Sequence, residues 1–205
     1  MPEILLATRN AGKIREIRQM TVAGGWVWHG LEAFPDVPAA VEDGATFAEN
    51  ARHKALHYAQ ATGLYTLADD SGLEVDCLGG EPGVHSARYA GTPRDDAANN
   101  RKLVAALAGV PLERRTARFR CALALARPDE LLIETEGVVA GLIIDEPRGD
   151  NGFGYDPHFL IPALGRTTAE LPPAEKNALS HRGQALCDML SRMEAHFQAQ
   201  GQRSV

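Results

Sequence analysis

Alternating and helically spaced apolar residues predict a chain that mixes strands and helices. The run from Glu3 to Thr8 is apolar through its middle and predicts a buried strand. Residues 116–126 alternate apolar with polar positions, which is typical of a half-buried strand. Shorter strands are predicted near Trp26–Trp28, at Tyr65–Ala68 and at Leu131–Glu136. The mixed order of these elements indicates an α/β fold.

Four helices are predicted where apolar residues recur every three or four positions. One begins at about Lys13, and a second follows the capping box Thr46–Glu49. A third is expected to start at Thr92–Pro93, with Thr92 as N-cap and proline in the first turn. The last begins at Ser180 and carries a stripe of Leu and Met that is typical of core. From about Gln198 the sequence turns polar, and we expect this tail to fray.

Composition narrows the class of protein. A chain of 205 residues, 44% hydrophobic and 23% charged, fits one two-lobed domain over residues 1–197 followed by the polar tail at 198–205. The net charge of −6 argues against a nucleic-acid partner, and no apolar run is long enough for a membrane span. The three cysteines lack metal or redox spacing, so we expect buried free thiols in a reducing cytoplasm.

The segment Phe153-Gly154-Tyr155-Asp156-Pro157 has the composition of a binding loop. Its glycine lets the backbone approach a ligand closely, and Phe153 offers a flat face for stacking. A tight loop that enters a strand and simply buries both aromatic rings is the alternative. The segment alone does not decide between them.

A second candidate lies between the first strand and the first helix. Backbone N–H groups at a helix N-terminus suit a phosphate, and side chains here add donors and charge. The segment consists of Thr8, Arg9, Asn10, Ala11, Gly12 and Lys13. It lacks the GxxxxGK[ST] spacing of a Walker A loop. A plain capped helix with a solvated Lys13 is the alternative.

A third candidate is Asp69-Asp70-Ser71-Gly72, expected at the exposed end of a short strand. Adjacent carboxylates point in different directions, so one can hold a hard cation such as Mg²⁺, with Glu42 as a second ligand. The same four residues also form a good β-turn, which is the alternative. Lys54 stands one helical turn after Asn50, where a solvated lysine is the default.

A fourth candidate surrounds the start of the last helix. His181 and Arg182 fall in its first turn, where cations oppose the helix dipole at a cost of up to about 1 kcal/mol. That placement makes sense if an oxygen-rich ligand or a carboxylate partner faces them. Lys176 lies shortly before them.

Taken in order, these segments resemble the inosine triphosphate pyrophosphatase family, the non-canonical purine NTP pyrophosphatases. The resemblance runs from Leu6 to about Leu190. It is carried by Thr8-x-Asn10-x-x-Lys13, Glu42-x-Gly44-x-Thr46-Phe47-x-Glu49-Asn50-Ala51, Ala68-Asp69-Asp70-Ser71-Gly72-Leu73, Gly79-Gly80-x-Pro82-Gly83, Ser86-Ala87-Arg88-Tyr89, Phe153-Gly154-Tyr155-Asp156-Pro157, and Lys176 with Ser180-His181-Arg182.

The resemblance implies an elongated mixed sheet flanked by helices, with two lobes, an active-site cleft between them and a homodimeric assembly. It implies hydrolysis of ITP, dITP and XTP to the nucleoside monophosphate and pyrophosphate, with Mg²⁺. Two other readings stay open. One is a pyrophosphatase for modified pyrimidine or other nucleotides, and the other is a nucleotide sensor without turnover.

The resemblance also implies residue roles. Residues Thr8 to Lys13 would bind the triphosphate with Lys54 nearby, and Glu42 and Asp70 would hold the metal. Asp70 would be the general base, with Asp69 in support. The remaining residues would contact the substrate and its nucleoside: Ser71, Phe153, Gly154, Tyr155, Asp156, Lys176, His181 and Arg182.

Overall fold

The computed structural model describes residues 2–21 and 25–203 and contains one mixed seven-stranded sheet in the order β2-β1-β3-β4-β5-β6-β7. β1 runs parallel to β2 and to β3, whereas β6 runs antiparallel to β5 and to β7. The strands are β1 Glu3–Ala7, β2 Val27–Gly30, β3 Tyr65–Val75, β4 Thr116–Arg127, β5 Glu130–Ile143, β6 Phe159–Ile161 and β7 Arg166–Thr167. The predicted α/β class is confirmed.

The helices are α1 Ala11–Thr21, α2 Phe47–Thr62, α3 Asp96–Ala106, α4 Pro173–Leu179 and α5 His181–Arg203. The predicted capping box opens α2, because the Thr46 side chain accepts from the Glu49 amide while the Glu49 carboxylate accepts from the Thr46 amide. Gly63, with φ of 74°, ends the helix in a left-handed conformation that a glycine adopts without strain. None of the helices in the described part of the chain combines the length and apolar character that crossing a membrane requires.

The chain divides into two compact units, each assembled from separate segments. The first contains the chain up to Asp70, Cys121–Gly137, and everything from Arg182 onward. The second contains Ser71–Arg120 and Val138–His181. Each has an apolar core. The first core includes Ile4, Ile17, Leu67, Leu123, Leu186 and Met189, and the second includes Leu73, Leu103, Phe119, Ile143 and Phe159.

Two predicted boundaries were wrong. β3 does not end before Asp69 but continues to Val75, because Leu73 and Val75 are fully buried and extend the apolar pattern past the polar residues. α3 does not start at Thr92. Asp95 is the N-cap, since its extended backbone lets its carboxylate accept from the Ala98 amide at 2.9 Å.

The C-terminal segment and the cysteines also differ from expectation. α5 continues to Arg203, so the tail predicted from Gln198 is helical as far as that residue, and residues 204–205 lie outside the described part of the chain. All three cysteines are free thiols, but only Cys121 is buried. Cys77 and Cys187 are exposed, because the apolar neighbours that suggested burial face the core on other sides of their elements.

Candidate active site

The adjacent carboxylates of β3 are both buried. Asp69 is fully buried and Asp70 is 6% exposed. Because successive side chains of a strand point to opposite faces, the two carboxylates enter different surroundings. Asp69 and Asp70 therefore have different partners and different charge environments.

Asp69 is held between two cations of the first unit. The Lys13 ammonium pairs with Oδ1, and the Arg182 Nε donates to Oδ2 at 2.8 Å. Arg182 also pairs through Nη1 with Glu16 of α1. Burial alone would raise the pKa of Asp69, but the Arg182 and Lys13 charges outweigh it and hold that pKa well below its usual range. The Asp69 carboxylate is therefore ionised and committed to structure.

The thiol of Cys121, on β4, contacts the Asp69 carboxylate of this network. Its Sγ is 3.4 Å from Oδ2 of Asp69. Burial, reinforced by the Asp69 charge, raises the pKa of Cys121 well above that of an ordinary thiol. The group is accordingly a neutral, weak donor to Asp69 and not a nucleophile.

Asp70 faces a lysine that joins two carboxylates. The Lys54 Nζ lies 3.3 Å from Oδ1 of Asp70 and 3.1 Å from Oε2 of Glu42, and it donates to the Asp69 carbonyl at 2.8 Å. Burial would lower the pKa of Lys54, but the nearby carboxylates, with Asp70 first, raise it, so Lys54 is charged. Lys54 is only 7% exposed, so the default interpretation of a solvated lysine is wrong.

One oxygen of Asp70 is uncommitted. Its Oδ2 is buried and receives no hydrogen bond from the described residues. Burial raises the pKa of Asp70, while the Lys54 and Lys13 charges oppose that rise. A buried carboxylate oxygen with an unmet hydrogen-bonding capacity is costly, so this atom favours binding a cation or a proton donor.

The start of α1 is capped by its own side chains. Asn10 Oδ1 accepts from the Gly12 amide at 2.9 Å and from the Lys13 amide at 3.3 Å, and Thr8 Oγ1 accepts from the Asn10 amide at 3.2 Å. These backbone amides were predicted to bind a phosphate, but in the structure they already donate to side-chain oxygens. The remaining donors of the segment include the Asn10 carboxamide nitrogen and the Lys13 ammonium.

The second unit contains a tightly bonded loop around Phe153. The Asp156 carboxylate accepts from the Phe153 amide at 2.8 Å, from the Thr168 hydroxyl at 2.7 Å and from the Lys176 ammonium at 2.5 Å. A Cβ on Gly152, which has φ of 77°, would lie 2.1 Å from the same carboxylate. Asp156 is 3% exposed, so its carboxylate fixes the loop and orients Lys176.

Phe153 is half-buried and lies beside two cations. The Lys176 Nζ is 5.1 Å from the ring centroid, and the Arg94 Cζ is 5.8 Å from it. Cations at these distances are attracted to the face of an aromatic ring. The arrangement places an aromatic ring with donors at its border, which we call the Phe153 platform; the predicted contact of Phe153 and Lys176 with a nucleoside stays a prediction.

Other predicted pocket residues lie deeper in the second unit. Tyr155 is 5% exposed, packs in the core and donates to the Ser86 carbonyl at 2.8 Å. His181 stacks on Phe119 with ring centroids 4.9 Å apart and an interplanar angle of 16°. Ser71 is half-buried in β3, directly after Asp70.

The predicted residues thus form two groups. In the first unit the structure brings together Lys13, Glu42, Lys54, Asp69, Asp70 and Arg182. In the second it brings together Phe153, Gly154, Asp156 and Lys176. Arg182, predicted to contact the nucleoside, has a fully buried guanidinium paired with carboxylates of the first unit, which is the carboxylate alternative left open by the sequence. Glu16 was missed.

The family is shown by comparison with known proteins. The model of the Ham1 family matches residues 4–192, and the chain belongs to that family. The resemblance inferred from the ordered motifs is confirmed, because the relatives that match most of the chain carry the corresponding enzyme name.

Two relatives and one solved structure illustrate the match. The dITP/XTP pyrophosphatase of Desulforamulus reducens is 48% identical over 95% of this chain and 98% of its own length. That of Geobacter sulfurreducens is 52% identical over 91% of this chain and 94% of its own length. The structure of a HAM1 protein from Coxiella burnetii superposes with a TM-score of 0.86 at 44% identity. The match covers 95% of this chain and 100% of that chain.

Proposed function

We propose that this protein hydrolyses non-canonical purine nucleoside triphosphates, namely dITP, XTP and ITP, to the nucleoside monophosphate and pyrophosphate. Similarity to enzymes named dITP/XTP pyrophosphatase, across nearly the whole chain, supports this activity. The observation that carries it is the pair of β3 carboxylates. Asp69 is committed to Lys13 and Arg182, whereas Asp70 keeps one buried oxygen without a hydrogen-bond partner among the described residues.

Mg²⁺ is the proposed cofactor, and the residues present fit it. The cluster contains three cations and four carboxylates: Lys13, Lys54 and Arg182, with Glu16, Glu42, Asp69 and Asp70. This excess of negative charge favours uptake of a further cation. Asp70 and Glu42, which share the Lys54 ammonium, would hold the ion.

The number of protein ligands also suits this ion. The proposed protein ligands are two carboxylates, Asp70 and Glu42. Mg²⁺ takes few protein oxygens and leaves the rest of its shell to phosphates and water. When bound, it would neutralise phosphate charge and lower the pKa of a nearby water.

The chemical step is an in-line attack of water on the α-phosphorus. A bond forms from the water oxygen to phosphorus, the bond to the α–β bridging oxygen breaks, and pyrophosphate leaves with that oxygen. Asp70 accepts the proton of the water, a role helped by the raised pKa that burial gives its carboxyl. Lys13 and Lys54 offset the charge that develops on the departing pyrophosphate.

Base selection is assigned to the second unit. Hypoxanthine and xanthine present an acceptor oxygen at C6, where adenine presents a donor amine. Lys176, held by Asp156 beside the Phe153 ring, is a donor that pairs with that oxygen and loses its partner when adenine replaces it. Arg182 is dropped from this role, because Asp69 and Glu16 bind its guanidinium.

Cytoplasmic location and a homodimer complete the proposal. Three free thiols suit a reducing compartment, and the homodimer follows from the family resemblance. Light scattering coupled to size exclusion tests the assembly. A mass of one chain, 22.1 kDa, would contradict the homodimer without touching the proposed activity.

The activity is tested by pyrophosphate release from ITP, dITP, XTP, GTP, ATP and a modified pyrimidine triphosphate, with and without Mg²⁺. We expect release from the first three only, and only with the metal. ATP lacks the C6 oxygen, whereas GTP has it and is expected to be excluded by its 2-amino group. Preferred turnover of the pyrimidine would establish the rival enzyme class. Tight binding of ITP without release would establish a sensor.

A further inference from the structure

We propose that Asp96 and Asn100 of α3 are positioning residues for the Phe153 platform. They act through the backbone N–H and C=O of Gly154. The inference rests on the proposed function, since the platform is the part of the site assigned to the base. Neither side chain is placed in contact with substrate. Their effect is on where the aromatic ring stands before the nucleotide arrives.

Both backbone polar groups of Gly154 are bound by side chains of one helix. The Gly154 N–H donates to Asp96 Oδ2 at 3.0 Å, and Asn100 Nδ2 donates to the Gly154 carbonyl oxygen at 2.9 Å. Residues four apart lie on the same face of a helix, so α3 presents one acceptor to the N–H of Gly154 and one donor to its C=O. Gly154 itself has φ of 63°, which few other residues adopt.

Hydrogen bonds on both sides of Phe153 fix the position of its backbone. On one side of the ring-bearing residue, its own N–H is held by Asp156 at 2.8 Å. On the other side, Gly154 is held by Asp96 and Asn100. The Phe153 carbonyl also accepts from the Asp156 amide at 3.3 Å. The backbone that carries Phe153 is therefore fixed from both directions, and loss of the α3 contacts weakens only the side of Gly154.

Asp96 also brings a cation to the platform. Arg94 binds it in a bidentate manner, through Nε at 2.7 Å and Nη2 at 2.9 Å, and the same guanidinium lies 5.8 Å from the Phe153 centroid. Asn100 has no comparable second role, since its Oδ1 is buried without a partner among the described residues. Asn100 therefore tests the Gly154 contact alone, and Asp96 tests it together with Arg94.

The experiment compares Asn100→Ala and Asp96→Ala with Asp95→Ala in steady-state hydrolysis of ITP. Asp95 caps the same helix through the Ala98 amide, so its variant reports the cost of weakening α3. We expect KM to rise about tenfold in Asn100→Ala, the effect of losing one hydrogen bond, and by more in Asp96→Ala, which also releases Arg94, with kcat changed less than about twofold in both. Asp95→Ala should lower Tm and leave KM unchanged.

Two further readouts separate positioning from general damage. Inorganic triphosphate carries no base, so its inhibition constant should be the same in all variants and the wild type. Asp96→Asn keeps an acceptor for the Gly154 N–H but loses the carboxylate that binds Arg94, so its KM should recover to a value between those of Asp96→Ala and the wild type. If an alanine variant fails to fold, Asp96→Asn and the milder Asn100→Ser carry the comparison, with Asn100→Ser expected to raise KM as Asn100→Ala does.

Equal KM values in Asn100→Ala and Asp95→Ala would overturn the inference, as would a weakened inhibition by inorganic triphosphate or a failure of Asp96→Asn to recover KM. In each case wild-type turnover of ITP leaves the proposed function standing. Absence of pyrophosphate release by the wild type would instead remove the proposed function, and the inference with it.

Discussion

The Nε atom of Arg182 lies 2.8 Å from Oδ2 of Asp69, which joins the first turn of α5 to the middle of β3 by a buried ion pair. The side chains are 2% and 0% exposed, and Glu16 is the second partner of the same guanidinium. A cation placed at the wrong end of a helix for the dipole is thereby compensated by two carboxylates. Arg182 is a structural residue of the first unit.

Arg182→Ala should lower the free energy of unfolding by about 3–5 kcal/mol, because it removes the buried guanidinium that Asp69 and Glu16 share. Arg192→Ala is the matched control, since Arg192 forms an exposed pair with Asp188 on the same helix and should cost below about 1 kcal/mol. Urea unfolding at neutral pH measures both. Similar losses in the two variants would show that the buried network contributes no more than a surface pair.

Acid stability should depend on Asp69. Its pKa is held well below the usual range in the folded state, mainly by Arg182 against the cost of burial, whereas an unfolded aspartate titrates near about 3.9. The group binds fewer protons when folded, so its stabilisation is complete above about pH 3.9 and is lost as the pH falls through the folded pKa.

Asp69→Asn should therefore be less stable than the wild type at neutral pH and should lose less stability on acidification. Asp188→Asn, which removes an exposed carboxylate of α5, should follow the wild-type curve. Unfolding free energies measured from neutral pH down to about pH 2 decide the matter, and parallel curves for wild type and Asp69→Asn would count against the assignment.

Asp70→Asn should reduce kcat for ITP by about 10²- to 10⁴-fold, the usual contribution of a general base, while the protein stays folded. The amide is nearly isosteric and keeps the Asp70 position filled, but it cannot accept the proton of the attacking water. Asp129→Asn, in the exposed turn between β4 and β5, should retain wild-type turnover. Unchanged pyrophosphate release by Asp70→Asn would remove Asp70 from that role.

Gly152→Ala should damage the Phe153 platform more than a left-handed glycine alone explains. The new Cβ would meet the Asp156 carboxylate at 2.1 Å, and displacement of that carboxylate releases the Phe153 amide and Lys176. Gly165→Ala is the control, because its φ of 62° carries the same backbone strain with nothing within 4 Å of the added carbon. Strain alone costs about 1–2 kcal/mol.

The two glycine variants are compared by Tm and by KM for ITP. Both should lower Tm, and Gly152→Ala alone should raise KM. A normal KM in Gly152→Ala would mean that Asp156 does not set the position of the platform.

Much of the fold followed from local pattern. The capping box of α2 and the alternation at the start of β4 were predicted because a few neighbouring residues determine those features. From Cys121 to Ala126 β4 is buried on both faces, so the half-buried strand predicted there was wrong. β3 was cut short because Asp69-Asp70-Ser71-Gly72 has the composition of a turn. The strand continues through this segment because Lys13, Lys54 and Arg182 compensate the buried carboxylates of Asp69 and Asp70. These cations come from distant segments, so the local sequence pattern does not reveal them.

The same reason explains the site. Local pattern alone favoured a solvated Lys54, and only the family resemblance placed it near the triphosphate; in the structure Glu42 and Asp70 hold it in the interior. Glu16 gave no signal, since its partner Arg182 is 166 residues away. Asp96 and Asn100 gave no signal either, because Gly154, which both of them bind, lies 58 and 54 residues away. The motifs predicted which residues form the site, and the tertiary contacts show which partners those residues have in the folded chain.

The segmented make-up of the first unit bears on how the protein is made. Its core takes strands from near the N-terminus, residues from the middle of the chain and the stripe of Leu186 and Met189 on α5. Synthesis proceeds from the N-terminus, so Asp69 is translated long before Arg182 can neutralise it. The first unit must therefore complete its core after most of α5 has left the ribosome, and chains truncated before α5 should depend on chaperones or be degraded.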